Sequence, residues 1–306
     1  METQLIRNKK SQINIVLKEQ KNDEGKSQKT ISSLENNPFT HIDQEFSSII
    51  GLQDLKKTIK EIYATVVINQ KRHELGLKSS KQVLHMLFKG NPGTGKTTVA
   101  RKLAKLYFEM NLLSKGHFIE AERADLVGEY IGQTAQKTRT IIQKAMGGIL
   151  FIDEAYSLAR GGDKDFGKEA IDTLVKHMED HHNDFVLILA GYPYEMERFL
   201  TLNPGLQSRF PFILDFEDYE ISQLMKIARK MAAEREYRLT KEAEQELRMH
   251  LYKKTQEKAR NFSNARYVRN VIENAIRLHA VRLLKRNNLT TDDLITLTEK
   301  DLLFDN

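Results

Sequence analysis

The residues with the clearest chemical role are 90–97, whose sequence is GNPGTGKT. This spacing fits the phosphate-binding loop G-x-x-x-x-G-K-[ST], in which glycines let successive backbone N–H groups point at anionic oxygens. Lys96 would place a positive charge on the β- and γ-phosphates and assist catalysis, and the Thr97 hydroxyl would bind Mg²⁺. We predict nucleotide contacts from the loop and the helix after it: Pro92, Gly93, Thr94, Gly95, Lys96, Thr97 and Thr98.

A pair of acids follows downstream, where the apolar run 149–152 ends in Asp153 and Glu154. A strand here would deliver both carboxylates to the carboxyl edge of a parallel sheet, beside the phosphate loop. We predict that Asp153 holds the Mg²⁺ shell and that Glu154 activates the water that attacks the γ-phosphate. The implied cofactors are ATP and Mg²⁺, and the implied reaction is ATP hydrolysis. The alternative is a strand that ends in two solvated acids.

Alternating apolar runs and amphipathic stretches predict the elements that position these residues. Apolar runs predict buried strands at residues 83–88, 117–120, 148–152, 185–190 and 212–214. The 3.6-residue period predicts helices at 52–75, at 98–107, from 134 onward and at 167–180. This alternation predicts an α/β fold in which a parallel sheet is sandwiched between helices.

The segment after residue 216 has a different character, because three helical stretches at 221–236, 240–254 and 264–285 replace the strands. We therefore predict three parts. Residues 1–45 form a polar, flexible N-terminal extension, in which 13–17 are apolar enough for a strand or docking segment. Residues 46–216 form the α/β nucleotide-binding domain, and 217–306 form a small all-helical lid domain.

Composition restricts the function classes. The chain of 306 residues has a net charge of +6, and its acids and bases are interspersed. This pattern favours a solvated surface over a nucleic-acid partner. The absence of cysteine excludes disulfides, thiolate catalysis and zinc fingers. The chain begins without a signal-peptide pattern and contains no apolar run long enough to cross a membrane, so we expect a cytoplasmic protein.

The combination of phosphate loop, acidic strand end and C-terminal helical domain resembles the AAA+ ATPases. The resemblance implies a P-loop NTPase fold that works as a ring-shaped oligomer, typically a hexamer. It implies that Ile50 and Gly51, before the first long helix, pack against adenine. It also implies that Arg266 contacts the nucleotide of its own subunit, with Arg269, one turn further on, as the other candidate for that role.

Arg209, within residues 203–210, resembles the arginine finger that AAA+ subunits supply to their neighbours. A guanidinium from a second subunit would stabilise charge on the γ-phosphate, so an isolated subunit would be nearly inactive. The alternative is an arginine that snorkels at a strand edge. One departure from the family pattern lies after the strand 185–190, where many members carry a polar sensor residue. Here Tyr192 is the candidate for that role, with packing as the alternative.

Tyr130, Ile131 and Gly132 resemble the central pore loop of AAA+ protein remodellers, in which an aromatic side chain grips a polypeptide. Such a grip depends on apolar area and shape, so it suits varied protein substrates. The alternative is that Tyr130 and Ile131 pack under the sheet, but Gly128 and Gly132 favour a mobile loop. Residues 160–165 would form a second, polar pore loop.

Segments 84–90, 120–132, 155–162 and 262–266 narrow the resemblance to a sporulation branch of the AAA+ ATPases, related to the red-type Rubisco activases (CbbX family). This likeness covers about residues 45 to 285. It implies an ATP-driven remodeller of an unknown protein client in sporulation. Two alternatives remain: a nucleic-acid motor or clamp-loader-like ATPase, and a small-molecule kinase with a phosphate loop.

Overall fold

A computed structural model describes residues 39–78, 82–130, 132–161, 165–256 and 262–304. Our predictions for residues 1–38, including the segment 13–17, lie outside these ranges. Within them, no helix has both the length and the apolar character that a membrane span requires.

The predicted parallel sheet is present and contains five strands in the order β2-β3-β4-β1-β5. The strands are β1 (Met86–Gly90), β2 (Phe118–Ala121), β3 (Ile149–Ile152), β4 (Val186–Gly191) and β5 (Phe212–Phe216). The strand β1 lies inside the sheet and pairs in parallel with both neighbours, so that Met86 lies beside Ile188 of β4 and Phe212 of β5. The carboxyl end of β1 therefore opens between two other carboxyl ends, where parallel sheets bind ligands.

Helices connect and cover these strands. In and before the sheet region they are α1 (Thr40–Glu45), α2 (Gln53–Glu74), α3 (Lys96–Glu109), α4 (Arg123–Leu126), α5 (Gln133–Ala145), a 3₁₀ helix (Ala155–Ala159), α6 (Gly167–Asp180), α7 (Pro193–Leu202) and α8 (Pro204–Gln207). We did not predict α4, α7, α8 or the 3₁₀ helix, because segments this short carry little periodic signal. Pro193 nevertheless occupies the first turn of α7, a position that proline favours.

Side chains of the central strands alternate between two cores, one on each face of the sheet. In β3, Ile149 and Phe151 belong to the core that includes α2 and α3, whereas Leu150 and Ile152 belong to the core that includes α5 and α6. All four are fully buried. The uninterrupted apolar run of β3 is therefore the consequence of a sheet that is covered on both sides.

Part of the segment that we assigned to the N-terminal extension is folded. Residues 40–45, assigned to a flexible extension, form α1, and Ile42 and Phe46 are buried in the core with α3. The Lys102 Nζ of α3 also donates to the Glu45 carbonyl at 2.6 Å. The prediction failed here because the segment is polar on average, while two well-placed apolar side chains are enough to attach one helical turn.

The C-terminal region is helical, as predicted, with one addition. Its elements are α9 (Ile221–Ala233), β6 (Arg238–Leu239), α10 (Lys241–Gln256), α11 (Asn264–Leu283), α12 (Thr291–Ile295), β7 (Thr296–Leu297) and a second 3₁₀ helix (Glu299–Asp301). The short strands β6 and β7 pair in parallel. This lid has its own core, to which Leu224, Leu247 and Ile272 contribute from α9, α10 and α11.

A buried ion pair attaches the C-terminal segment to α11. Arg282 Nε and Nη2 donate to the two carboxylate oxygens of Asp301 at 2.7 and 2.8 Å, and the Asp301 side chain is 1% exposed. Burial alone would raise the pKa of Asp301, but the hydrogen bonds from Arg282 and Thr298 outweigh it and hold the pKa below its usual range. The pair therefore stabilises the fold above about pH 4, and this contribution is lost as the pH falls through the native pKa.

We expect Asp301→Asn to lower the free energy of unfolding by about 3 kcal/mol at neutral pH, because the Arg282 charge then loses its buried partner. The difference from the native chain should begin to shrink below about pH 4, where Asp301 of the unfolded chain takes up a proton, and should vanish as the pH falls through the lowered native pKa. Calorimetry over this pH range measures both effects. The control is Asp292→Asn, which breaks the exposed pair with Arg238 and should leave the unfolding temperature nearly unchanged. Equal losses in the two variants would contradict the prediction.

Candidate active site

The loop between β1 and α3 has the backbone that its glycines predict. Gly93 and Gly95 have φ values of +70° and +100°, a region that side chains other than glycine rarely adopt. Gly95 is the N-cap of α3, whose first-turn N–H groups have no partner within the helix. The loop and the helix N-terminus together form a cradle for an anionic group.

Lys96 lies inside this loop. Its Nζ donates to the carbonyls of Gly90 and Asn91 at 2.7 and 2.9 Å. Burial lowers the pKa of Lys96, Asp153 opposes that shift and Arg266 adds to it. Asp218 and Glu154 also oppose the shift, but burial outweighs all three carboxylates, so an incoming anion would stabilise the charged form of Lys96.

A cleft of about 450 Å³ opens beside the loop and is large enough for a small cofactor. Most of the predicted nucleotide, metal and catalytic residues line it: Ile50, Pro92, Gly93, Gly95, Lys96, Thr97, Thr98, Asp153, Glu154, Tyr192, Arg266 and Arg269. They come from segments far apart in the sequence, which the fold brings together at the carboxyl edge of the sheet.

Two predicted contact residues, Gly51 and Thr94, are not among those that line the cleft. Thr94 is fully buried under the loop, where its hydroxyl donates to the Asn91 carbonyl at 2.8 Å. Gly51 has a φ of +73° and lies against Gln223 of α9, where a Cβ would come within 2.8 Å of the amide nitrogen. Gly51 therefore shapes the turn that precedes α2, and Thr94 stabilises the loop from beneath.

Asp153 and Glu154 stand at the carboxyl end of β3, on the floor of the cleft. The Asp153 carboxylate accepts the Glu154 N–H at 2.9 Å, and Glu154 has a φ of +45°. This turn directs the chain away from the sheet into the 3₁₀ helix. Arg160 Nη2 lies 4.0 Å from the Glu154 carboxylate, which is too long for a hydrogen bond. The Glu154 carboxylate lines the cleft and also interacts with the Tyr156 side chain.

Tyr192, at the end of β4, lines the same cleft, and its ring lies 5.8 Å from that of Tyr156. Burial and the nearby Glu154 charge raise the pKa of Tyr156, so its hydroxyl stays protonated at neutral pH. Tyr192 both packs and faces the cleft, and the two roles that we considered for it are compatible.

The residues that join the lid to the phosphate loop were not predicted from the sequence. Asn264, at the start of α11, is fully buried and accepts the Tyr219 N–H at 2.9 Å. Its amide donates to Asp218 at 2.7 Å and to the Pro92 carbonyl at 3.3 Å. The Tyr219 hydroxyl donates to the Thr94 carbonyl at 3.0 Å. Asn264 was visible beside Arg266 in the sequence, but nothing local indicated a bond to residues so far upstream.

At Gly93 the phosphate loop lies in close contact with the lid. A Cβ at this position would lie 2.1 Å from the Ser263 carbonyl oxygen. The Ala265 N–H donates to the Gly93 carbonyl at 3.2 Å. The glycine is thus required by the contact with the lid as well as by the loop conformation.

Arg209 lies outside this cleft. It lines a second cleft of about 430 Å³ together with Glu179, His85 and His182. Its Nε donates to Glu179 Oε1 at 3.1 Å, and its Nη2 donates to the same oxygen. The structure therefore does not bring Arg209 to the first cleft of its own chain.

Tyr130 is 67% exposed, so it does not pack under the sheet. Its carbonyl accepts the Gln133 N–H at 3.2 Å, and Gly132, with a φ of +83°, begins α5. Gly128 is held nearby by a bond from its N–H to the buried Thr134 hydroxyl at 2.9 Å. The loop is thus anchored behind an exposed aromatic side chain, whereas Ile131 lies outside the described residues.

The base of the second predicted pore loop is anchored to α4. Asp165 accepts the Gly161 N–H at 2.9 Å and the Arg123 guanidinium at 2.6 Å. Another N–H of Arg123 donates to the Ser157 carbonyl at 2.7 Å. Residues 162–164, the centre of that loop, lie outside the described ranges.

Two family models and several known proteins match this chain. The model of the ATPase family associated with various cellular activities (AAA) matches residues 86–218, and the model of an AAA lid domain matches 220–306. Stage V sporulation protein K of Bacillus subtilis (strain 168) is 60% identical over 95% of this chain and 93% of its own length. The chloroplastic ribulose bisphosphate carboxylase/oxygenase activase of Cyanidioschyzon merolae is 44% identical over 83% of this chain and 87% of its own length.

Two solved structures share the fold. The FIGL-1 AAA domain in complex with ADP has a TM-score of 0.54 at 20% identity, covering 84% of this chain and 81% of that one. The Thermotoga maritima RuvB Holliday junction branch migration motor has a TM-score of 0.50 at 21% identity, covering 80% and 67%. At these identities the likeness concerns the fold alone. The family models and the two sequence relatives show that this chain belongs to the AAA ATPase family.

Proposed function

We propose that this chain is a Mg-ATP-hydrolysing protein remodeller that works as a ring-shaped oligomer, most simply a hexamer. The observation that carries the proposal is the nucleotide cleft, because it collects a phosphate loop, an acidic strand end and a lid arginine. The 60% sequence identity of this chain to stage V sporulation protein K favours a role in sporulation. The client is an unidentified protein.

ATP with Mg²⁺ fits the groups that the cleft offers. Ile50 provides an apolar surface for the base, and Lys96 and Arg266 provide charge for the phosphates. The Thr97 hydroxyl and the Asp153 carboxylate are oxygen donors of the kind that Mg²⁺ prefers. In the described part of the chain no cluster of three or more His, Cys, Asp or Glu side chains could hold a metal. The remaining ligands would therefore come from phosphates and water, and the bound ion would neutralise phosphate charge.

Glu154 is the acid that we assign to water activation, because it lines the cleft one residue beyond the proposed Mg²⁺ ligand. Arg209 is the residue that we assign to the active site of a neighbouring copy. Its place in a separate cleft supports that role, since it could reach a γ-phosphate only if a second subunit docked there. The proposed ring follows from this division of one active site between two chains.

Tyr130 is the residue that we assign to the grip on a polypeptide, together with Ile131 and Gly132. Its exposure supports this role, since a solvated aromatic side chain at a loop tip gains free energy when it packs against an apolar segment. No specific observation favours the nucleic-acid motor or the small-molecule kinase.

We expect Glu154→Gln to retain ATP binding while turnover falls by about 10² to 10³-fold, because the amide cannot accept a proton from water. Phosphate release measures turnover, and titration with a fluorescent ATP analogue measures binding. The matched control is Glu234→Gln, which changes another acid that lines the cleft and should keep most of the activity. Undiminished hydrolysis in Glu154→Gln would remove this residue from its role.

We expect Arg209→Ala and Glu154→Gln subunits, each nearly inactive alone, to regain activity when mixed. An interface is competent when the first variant holds the nucleotide and the second supplies Arg209, so random equimolar rings should reach about a quarter of native turnover. Phosphate release over a range of mixing ratios tests this. Absence of rescue at every ratio, with mixed rings verified by mass, would count against a trans-acting arginine.

We expect Tyr130→Ala to keep basal ATP hydrolysis but to lose its stimulation by an unfolded polypeptide, for which casein is a suitable probe. The reason is that this side chain supplies apolar contact area and touches no nucleotide-binding group. Tyr130→Phe should retain the stimulation, and Tyr194→Ala, at another exposed tyrosine, is the matched control. Parallel loss of basal and stimulated hydrolysis would indicate a structural role instead.

A further inference from the structure

Glu179 and the Gly205 carbonyl hold the guanidinium of Arg209 in one orientation. Glu179 Oε1 accepts from Nε at 3.1 Å and also from Nη2, and the Gly205 carbonyl accepts from Nη1. The two contacts come from different elements, α6 and α8. Both contacts are made by the Arg209 side chain, for which we considered a catalytic role and a snorkelling position at a strand edge.

The hydrogen bonds leave the end of the guanidinium available. An arginine side chain has five N–H donors, in a planar fork that suits bidentate binding of phosphate. The contacts with Glu179 and Gly205 use one N–H on each of the three nitrogens. One N–H therefore remains on Nη1 and one on Nη2, and Arg209 lines a cleft that can admit a further group.

The location of Glu179 is unfavourable for its own helix. It lies in the last turn of α6, where the helix dipole disfavours a carboxylate. Its side chain is 57% exposed, so neither burial nor helix capping explains its orientation. Gly205 also contributes by its small size, since a Cβ there would lie 3.1 Å from Arg209 Nη1.

We propose that Glu179 is a positioning residue for Arg209, which it aligns, together with the Gly205 carbonyl, for end-on contact with the γ-phosphate of a neighbouring subunit. The inference rests on the proposed trans-acting role of Arg209. Preorganisation of this kind raises turnover without changing nucleotide affinity, because the group does not have to be ordered during the reaction.

The test compares kcat and KM for ATP, measured over a range of ATP concentrations. The protein concentration is high enough for complete assembly. Arg209→Ala should lower kcat by about 10³-fold. Glu179→Ala should lower kcat by about tenfold, with KM unchanged within about twofold. Glu179→Gln should retain part of the activity, because its amide oxygen still accepts a hydrogen bond. Gly205→Ala should lower kcat by about threefold, since the added methyl crowds Nη1.

The decisive measurement is Glu179→Ala in the Arg209→Ala background, where we expect no further loss of kcat. A merely structural role for Glu179 would lower activity in both backgrounds and would overturn the proposal. The matched control is Glu273→Ala, which breaks another exposed Arg–Glu pair, with Arg235, and should leave kcat unchanged. Thermal unfolding and oligomer mass are checked for each variant. If Glu179→Ala does not fold, Glu179→Gln and Gly205→Ala provide the same comparison.

The trans-acting role of Arg209 and the positioning role of Glu179 would be contradicted by different results. Native kcat in Arg209→Ala would remove Arg209 from catalysis, and the role of Glu179 would fall with it. A large loss in Arg209→Ala combined with native kcat in Glu179→Ala would overturn only the positioning role, and the proposed active site would stand.

Discussion

The contact between Asn264 and the phosphate loop is the interaction on which the arrangement of the site depends. Its fully buried amide bonds to Asp218 and to the Pro92 carbonyl, and its oxygen accepts from Tyr219. Asn264 has a φ of +47°, a conformation that asparagine tolerates better than most residues. Because a buried amide without partners is costly, these bonds favour one docking position of the lid. Arg266, two residues further on, reaches the cleft as a result.

By docking the lid, the same contact also brings the Arg266 charge close to Lys96. Lys96 and Arg266 approach one another with Asp153 nearby, and Lys96 bonds to backbone carbonyls of its own loop. Asp218 and Glu154 also act on Lys96, but burial still lowers its pKa, so the charged form of this ammonium would be stabilised by a polyphosphate. Arg209, in contrast, is paired with Glu179 in a separate cleft. In the proposed ring each chain would therefore contribute to two active sites, one through its loop and lid and one through this arginine.

Much of the fold could be predicted because the buried strands and long helices carry strong periodic signals. The run 149–152 indicated a strand covered on both faces, and α6 begins and ends at the predicted residues. The signals were weak where few residues decide the structure. Helix α1 depends on the buried Ile42 and Phe46, and the pairing of β6 with β7 joins segments that are far apart in the chain. Such contacts are not encoded in local hydrophobic patterns.

The amino-acid sequence by itself determined the phosphate-loop spacing and the acidic strand end that line the cleft, because both are local properties. The sequence pattern predicted that one cleft contains Lys96, Asp153 and Glu154, because the carboxyl ends of parallel strands share an edge. Only the tertiary structure decided that Thr94 and Gly51 serve the loop and turn, that Tyr130 is exposed and that Glu179 holds Arg209. Those outcomes depend on which side chains meet across long sequence separations. Packing and hydrogen bonding select them, and no spacing along the chain records them.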